Sequence, residues 1–172
     1  MTSDAKADAE SVARAVVLRR LAAAPRTRAQ LAEDLVAREV PDEVAARVLD
    51  RFTEVGLVDD AAFAEAWVRS RQASRGLSRQ ALTYELRQKG VDDQIAQAAI
   101  EQIDRDGERA AASSLVTRRL AVTRGLAAEV RTRRLVAMLG RKGYSSGLAA
   151  AVVRDALSRE PTAGRDGGHS LR

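Results

Sequence analysis

Apolar residues recur at three- and four-residue spacing along most of the chain, the signature of helices that bury one face. Leu31 and Leu35 pair this way, as do Val44 and Val48, Phe63 and Trp67, Leu82 and Leu86, and Leu135 and Leu139. Ala, Leu, Arg, Glu and Gln fill the positions between them, all good helix formers, and β-branched runs are short. No turn-bounded stretch alternates polar with apolar residues, so no sheet is expected. Helix breaks are expected at Pro25, Pro41, Gly56, Gly76, Gly90, Gly107, Gly125 and Gly143.

The pattern repeats. A shift of 51 residues places Leu31 on Leu82, Leu35 on Leu86, Val40 on Val91, Val44 on Ile95 and Phe52 on Ile103. A further shift of 53 places Leu82 on Leu135, Leu86 on Leu139, Lys89 on Lys142, Gly90 on Gly143 and Ile95 on Leu148. The preceding helix keeps step: Val16, Trp67 and Leu120 share one position, and Arg20, Arg71 and Arg124 another. Each unit reads helix, short polar link, helix, tight turn, helix, and three such helices can bury one apolar stripe between them. The expectation is an all-α protein, an elongated, curved array of three tandem three-helix repeats at residues 12–57, 58–106 and 107–159. A flexible segment is expected at 1–11 and a disordered tail at 160–172, where PTAGRDGGHSLR offers no apolar face.

Turn chemistry agrees. Lys89-Gly90 and Lys142-Gly143 each put a cation in the last helical turn and a glycine just beyond it, suited to the left-handed conformation that stops a helix. The first unit has Arg38-Glu39 there, which predicts a looser turn. Asp59-Asp60 and Asp92-Asp93 fall just after turns, where a short carboxylate caps a starting helix. Neighbours along the chain point apart, so neither pair suits acid/base catalysis.

Composition narrows the function. With 45% hydrophobic and 31% charged residues over 172 positions, the chain suits a soluble, packed protein. It has no Cys, which excludes disulfides, thiolate metal sites and cysteine nucleophiles, and its one His, His169, cannot build a catalytic or metal cluster alone. No phosphate-loop motif occurs, and every apolar run is broken by Arg, Asp or Glu before it could cross a bilayer. The opening MTSDAKADAESVAR does not read as a secretion signal. These features point to a cytoplasmic protein that is not an enzyme and takes no cofactor, metal, membrane or small-molecule substrate.

Charge is uneven. Residues 1–60 balance at −3, 61–106 at zero and 107–172 at +8, and all but three of the 29 cations are arginines. Between Leu115 and Ser145 lie Arg118, Arg119, Arg124, Arg131, Arg133, Arg134, Arg141 and Lys142, opposed only by Glu129. Such a density of like charge calls for a polyanion or an acidic protein surface, and the guanidinium fork suits phosphate. Candidate contacts in the third unit are therefore Arg131, Arg133, Arg134, Arg141, Lys142 and Tyr144, the tyrosine because it follows a basic turn. The middle unit adds Arg71, Arg75, Arg79, Arg87 and Lys89, with Glu65 and Glu85 as possible internal partners. Phe52, Phe63 and Trp67 sit at core-type positions, so phosphate contact rather than base stacking should dominate. The alternative is a helix-turn-helix transcription factor using Leu31–Arg38 and Asp42–Val55. That region is acidic, however, and Asp59 onward opens another helix where a wing would be needed.

The run GLVDDAAFAEAWVRSR followed by RGLSRQALTYELRQKGV resembles the signature of the RecX family. The features that carry the resemblance are Gly56-Leu57-Val58-Asp59-Asp60, Phe63-Ala64, Trp67-Val68, Arg71, Arg75-Gly76, Leu82, Leu86 and Lys89-Gly90-Val91. The resemblance implies tandem three-helix repeats and a regulator of the RecA recombinase. Such a regulator binds the RecA–single-stranded-DNA filament and restrains its ATP hydrolysis, strand exchange and coprotease activity. The implied partners are the RecA filament and single-stranded, or also double-stranded, DNA.

Overall fold

A computed structural model describes residues 3–160, all of whose regular structure is helical. The helices are α1 (Ser3–Ala23), α2 (Arg28–Val36), α3 (Asp42–Glu54), α4 (Asp60–Arg75), α5 (Arg79–Gln88), α6 (Asp93–Glu101), α7 (Arg105–Thr123), α8 (Ala128–Arg141) and α9 (Ser146–Ser158). They pack in triplets: α1 on α2 and α3, α4 on α5 and α6, α7 on α8 and α9. The chain divides into two compact units at Asp104–Arg105, the first holding two triplets and the second the third.

Each triplet closes on its own core. Leu31 and Leu35 sit with Val17, Val44 and Val48 in the first. Leu82 and Leu86 sit with Val68, Ala96 and Ile100 in the second, and Leu135 and Leu139 with Val116, Val152 and Val153 in the third. These six leucines are among the most deeply buried side chains, so the register of the repeat is the register of the core. Burying each one fully contributes roughly 2–3 kcal/mol.

The turn between the second and third helices has one geometry in all triplets. The amide of Val40 donates to Leu35 O at 3.2 Å, that of Val91 to Leu86 O at 3.1 Å, and that of Tyr144 to Leu139 O at 3.2 Å. The residue before each takes a positive φ: Glu39 at 56°, Gly90 at 73° and Gly143 at 87°. The first turn is therefore not looser, as its lack of glycine suggests. Its backbone follows the others because Val40 must reach the same buried position as Val91, and Glu39 accepts the left-handed strain.

Other boundaries differ from expectation. The segment 1–11, expected to be flexible, is helical from Ser3: Ala9 packs on the first core and Lys6 Nζ lies 3.7 Å from Glu43. Gly107 does not break a helix but lies in the first turn of α7, the break falling before Arg105. Glu160, placed with the tail, turns back to Arg131 at 2.6 Å, and 161–172 lie outside the described residues. No strand follows Gly56 among the described residues: Asp59 caps α4 by accepting from the Ala62 amide at 2.8 Å, leaving no room for a wing.

The first two triplets join through a small polar seam. Thr27 is fully buried, and its hydroxyl accepts from the Gln30 amide while donating to Lys89 O at 2.6 Å. The amide of Arg28 donates to Asp60 Oδ1 at 2.8 Å. Gly90 permits the approach, since a Cβ there would fall 2.3 Å from the Cβ of Ala29. Asp60 is thus a link between triplets as well as a first-turn acid of α4.

Candidate functional site

The second triplet gathers its cations around one carboxylate and one ring. Amphipathic spacing puts Phe63, Trp67 and Arg71 on the same face of α4, and α5 packs Glu85 opposite them. The indole N–H of Trp67 donates to Glu85 Oε2 at 2.9 Å, and Arg75 donates to Glu85 Oε1 at 3.2 Å. Arg71 Nε lies 3.4 Å from Glu85 Oε2, buried yet without a hydrogen-bond partner. The Arg71 guanidinium and the Lys89 ammonium each stand 4.1 Å from the centroid of Trp67, whose quadrupole attracts both. Phe63 stacks on the indole at 5.8 Å. Arg87 pairs with Asp93 at 2.6 Å, and Arg79 opens α5. The expected stripe Arg71, Arg75, Arg79, Arg87 and Lys89 is thus present on α4, α5 and the turn after it, with much of its charge already answered.

The third triplet is different. A groove of about 550 Å³ runs between α7 and α8, lined by Arg119, Arg133, Arg134 and Arg141 together with Val122, Thr123, Leu135, Ala137 and Met138. None of its lining residues is acidic, and none of the four arginines is paired with a carboxylate among the described residues. Val122 is 73% exposed, so the groove has an open apolar edge. Arginines held together without a counter-ion raise the local potential and concentrate anions there. Among the described residues there is no cluster of three metal-ligating side chains, and no helix is long and apolar enough to cross a membrane.

Two of the expected contacts point inward. Arg131 is only 12% exposed at its side chain, bound to Glu160 Oε2 at 2.6 Å and reaching Thr123 Oγ1 at 3.3 Å. Its repeat register is that of Thr27 and Ser78, the buried caps of α2 and α5. Helix α8 starts a turn earlier, so Arg131 lies inside the helix rather than at its cap. Tyr144, expected on the surface, is 4% exposed and belongs to the third core, in register with Val40 and Val91. Burial first, and the Glu108 carboxylate second, push its phenol up to about 12. Lys142 ends α8 as its cap, half-buried. Arg119, which lines the groove, was not among the expected contacts. Only the packing of α7 on α8 brings it to the other three, although it belongs to the same cationic run.

Comparison with known proteins places these features in a family. Residues 13–52 match the family model described as RecX, first three-helix domain, and residues 59–100 match RecX, second three-helix domain. The chain is 58% identical over 158 residues to the regulatory protein RecX of Thermobifida fusca, covering 92% of this chain and 85% of that one. It is 55% identical over 148 residues to the regulatory protein RecX of Streptomyces coelicolor, covering 86% and 79%. Among solved structures, RecX from Lactobacillus salivarius superposes with a TM-score of 0.81 over 88% of this chain and 99% of that one. At 18% sequence identity this is a likeness of fold.

Proposed function

The chain belongs to the RecX family of regulatory proteins, and from that premise we propose that it binds the RecA–single-stranded-DNA filament in the cytoplasm and restrains RecA without chemistry of its own. The observation that carries this reading is the groove of unpaired Arg119, Arg133, Arg134 and Arg141. A single strand offers regularly spaced phosphates, and each neutralised phosphate releases a condensed counter-ion. The second triplet adds Arg71, Arg75, Arg79, Arg87 and Lys89, and Lys142 closes α8 beside the groove-lining Arg141. Arg131 reaches the groove-lining Thr123 from within, and Tyr144 belongs to the third core. A protein seated this way on a filament favours the filament state it fits, slowing ATP hydrolysis, strand exchange and coprotease activity through population shift.

The test is a titration of RecA–single-stranded-DNA filaments with wild-type protein and with an Arg133→Glu/Arg134→Glu variant, following ATP hydrolysis. Wild type should slow hydrolysis substoichiometrically. The variant should need about tenfold more protein, the order expected when about two phosphate contacts are lost, and should melt at the wild-type temperature because both side chains are exposed. Arg131→Glu should instead lower the melting temperature. Full inhibition by the double variant would overturn the reading.

A further inference from the structure

One register position differs between the triplets in a way that bears on their charge. In the first, Arg20 of α1 pairs with Asp34 of α2 across the helix interface. In the second, Arg71 of α4 faces Glu85 of α5, and Asp34 and Glu85 are 51 residues apart, the repeat shift itself. Both carboxylates are largely covered, Glu85 being 24% exposed at its side chain. A further shift of 53 leads to Met138, which lines the arginine groove. Arg124, the third triplet's counterpart of Arg20 and Arg71, points elsewhere, 4.0 Å from Glu160.

From this we infer that the position occupied by Asp34, Glu85 and Met138 sets how available each triplet's cations are to an external phosphate chain. A carboxylate at this place acts as a resident anion. Glu85 holds Arg75 and Trp67 by hydrogen bonds and attracts Arg71, so an incoming phosphate must compete with it for the same guanidinium groups. Met138 offers no such competitor, and the groove arginines stay open. The thioether is close to glutamate in length, so the exchange removes charge while filling similar space. Glu85 and Met138 therefore act through neighbouring arginines, as tuning residues rather than contacts. This rests on the polyanion reading above, and the experiment separates the two.

The measurement is the affinity of the full-length protein for a fluorescently labelled oligothymidylate, taken across a salt series from about 50 to 200 mM. Glu85→Gln keeps an acceptor for the Trp67 indole and removes only the charge. It should tighten binding about three- to tenfold and steepen the log–log salt slope by about 0.7, the increment for one more phosphate on a single strand. Glu65→Gln makes the same change in net charge on an ion pair with Arg69 that touches neither Arg71 nor Arg75, and should leave both quantities near wild type. Met138→Glu should weaken binding by a similar factor and flatten the slope, while Met138→Gln should not. Trp67, the single tryptophan, reports the second triplet directly: anion binding should change its emission more in Glu85→Gln than in wild type. Equal effects of Glu85→Gln and Glu65→Gln would overturn the inference by reducing it to net charge. So would equal effects of Met138→Glu and Met138→Gln. If Arg75→Ala and Arg133→Ala leave affinity unchanged, the polyanion reading itself is wrong, whatever Glu85 does.

Discussion

Gly90→Ala tests the seam between the first two triplets with an internal control. Two costs act at this position. The residue holds φ at 73°, where an L side chain is strained by about 1–2 kcal/mol. The new methyl would also fall 2.3 Å from the Cβ of Ala29, far inside contact distance, so backbone or helix must shift at a cost of about 1–3 kcal/mol. Gly56 shares the strain, at φ 74°, but a Cβ there meets nothing within 4 Å. Alanine also lowers unfolded-state entropy at both sites, offsetting about 0.4–1 kcal/mol. Gly56→Ala should therefore cost about 1 kcal/mol and Gly90→Ala about 3, the difference being the seam. Urea unfolding followed by Trp67 emission reads both in the unit that contains them. In a double-mutant cycle, Ala29→Gly should rescue Gly90→Ala with a coupling of about 1–3 kcal/mol. If Gly90→Ala costs no more than Gly56→Ala, or if the coupling is near zero, the close approach of α2 to the Lys89-Gly90 turn is not what holds these triplets together.

Two further perturbations probe the turns. Glu39→Gly should stabilise the protein by about 1 kcal/mol in the same unfolding assay, because glycine takes φ 56° without the strain Glu39 bears. Tyr144 holds its proton to about 12 in the folded chain against 10.0 when unfolded. Between those values the folded state binds more protons, and stability falls as pH rises through that window. Tyr144→Phe should remove up to about 2 kcal/mol of that decline, read as a flatter dependence of unfolding free energy on pH above 10; an unchanged slope would mean the phenol ionises freely in the folded state.

What was legible in the sequence was whatever the repeat forces. Leu31, Leu35, Leu82, Leu86, Leu135 and Leu139 are core residues because helical spacing and register agree on them. The left-handed turns at Gly90 and Gly143 follow from glycine after a cation. The misreadings came from judging residue type where position decides. Glu39 reads as a departure from the turn, yet the burial of Val40 imposes the turn on it. Tyr144 reads as surface beside basic neighbours, although Val40 and Val91 in its register are buried. Arg131 reads as one more cation of the run, although Thr27 and Ser78 occupy its place as buried caps. The grouping of Arg119 with Arg133, Arg134 and Arg141 lay beyond one-dimensional pattern. It depends on how α7 lies against α8, which spacing along either helix alone does not specify.

Scaffold and charge are separable in the three versions of this fold. Each triplet draws its stability chiefly from its own core, and the Arg71–Glu85 pair lies outside that core, between α4 and α5. At the same register the third triplet has Met138, whose apolar side chain packs on the third core. The repulsion among the groove arginines is screened over about 8–10 Å at ordinary salt, so it is modest. On the proposed reading binding should be affected far more, because a phosphate that meets an unpaired guanidinium releases a counter-ion instead of displacing a resident anion. Arginine count alone does not single out a face; by the pairing state of each arginine, the α7–α8 groove is the surface to test ahead of the more elaborate cluster around Trp67.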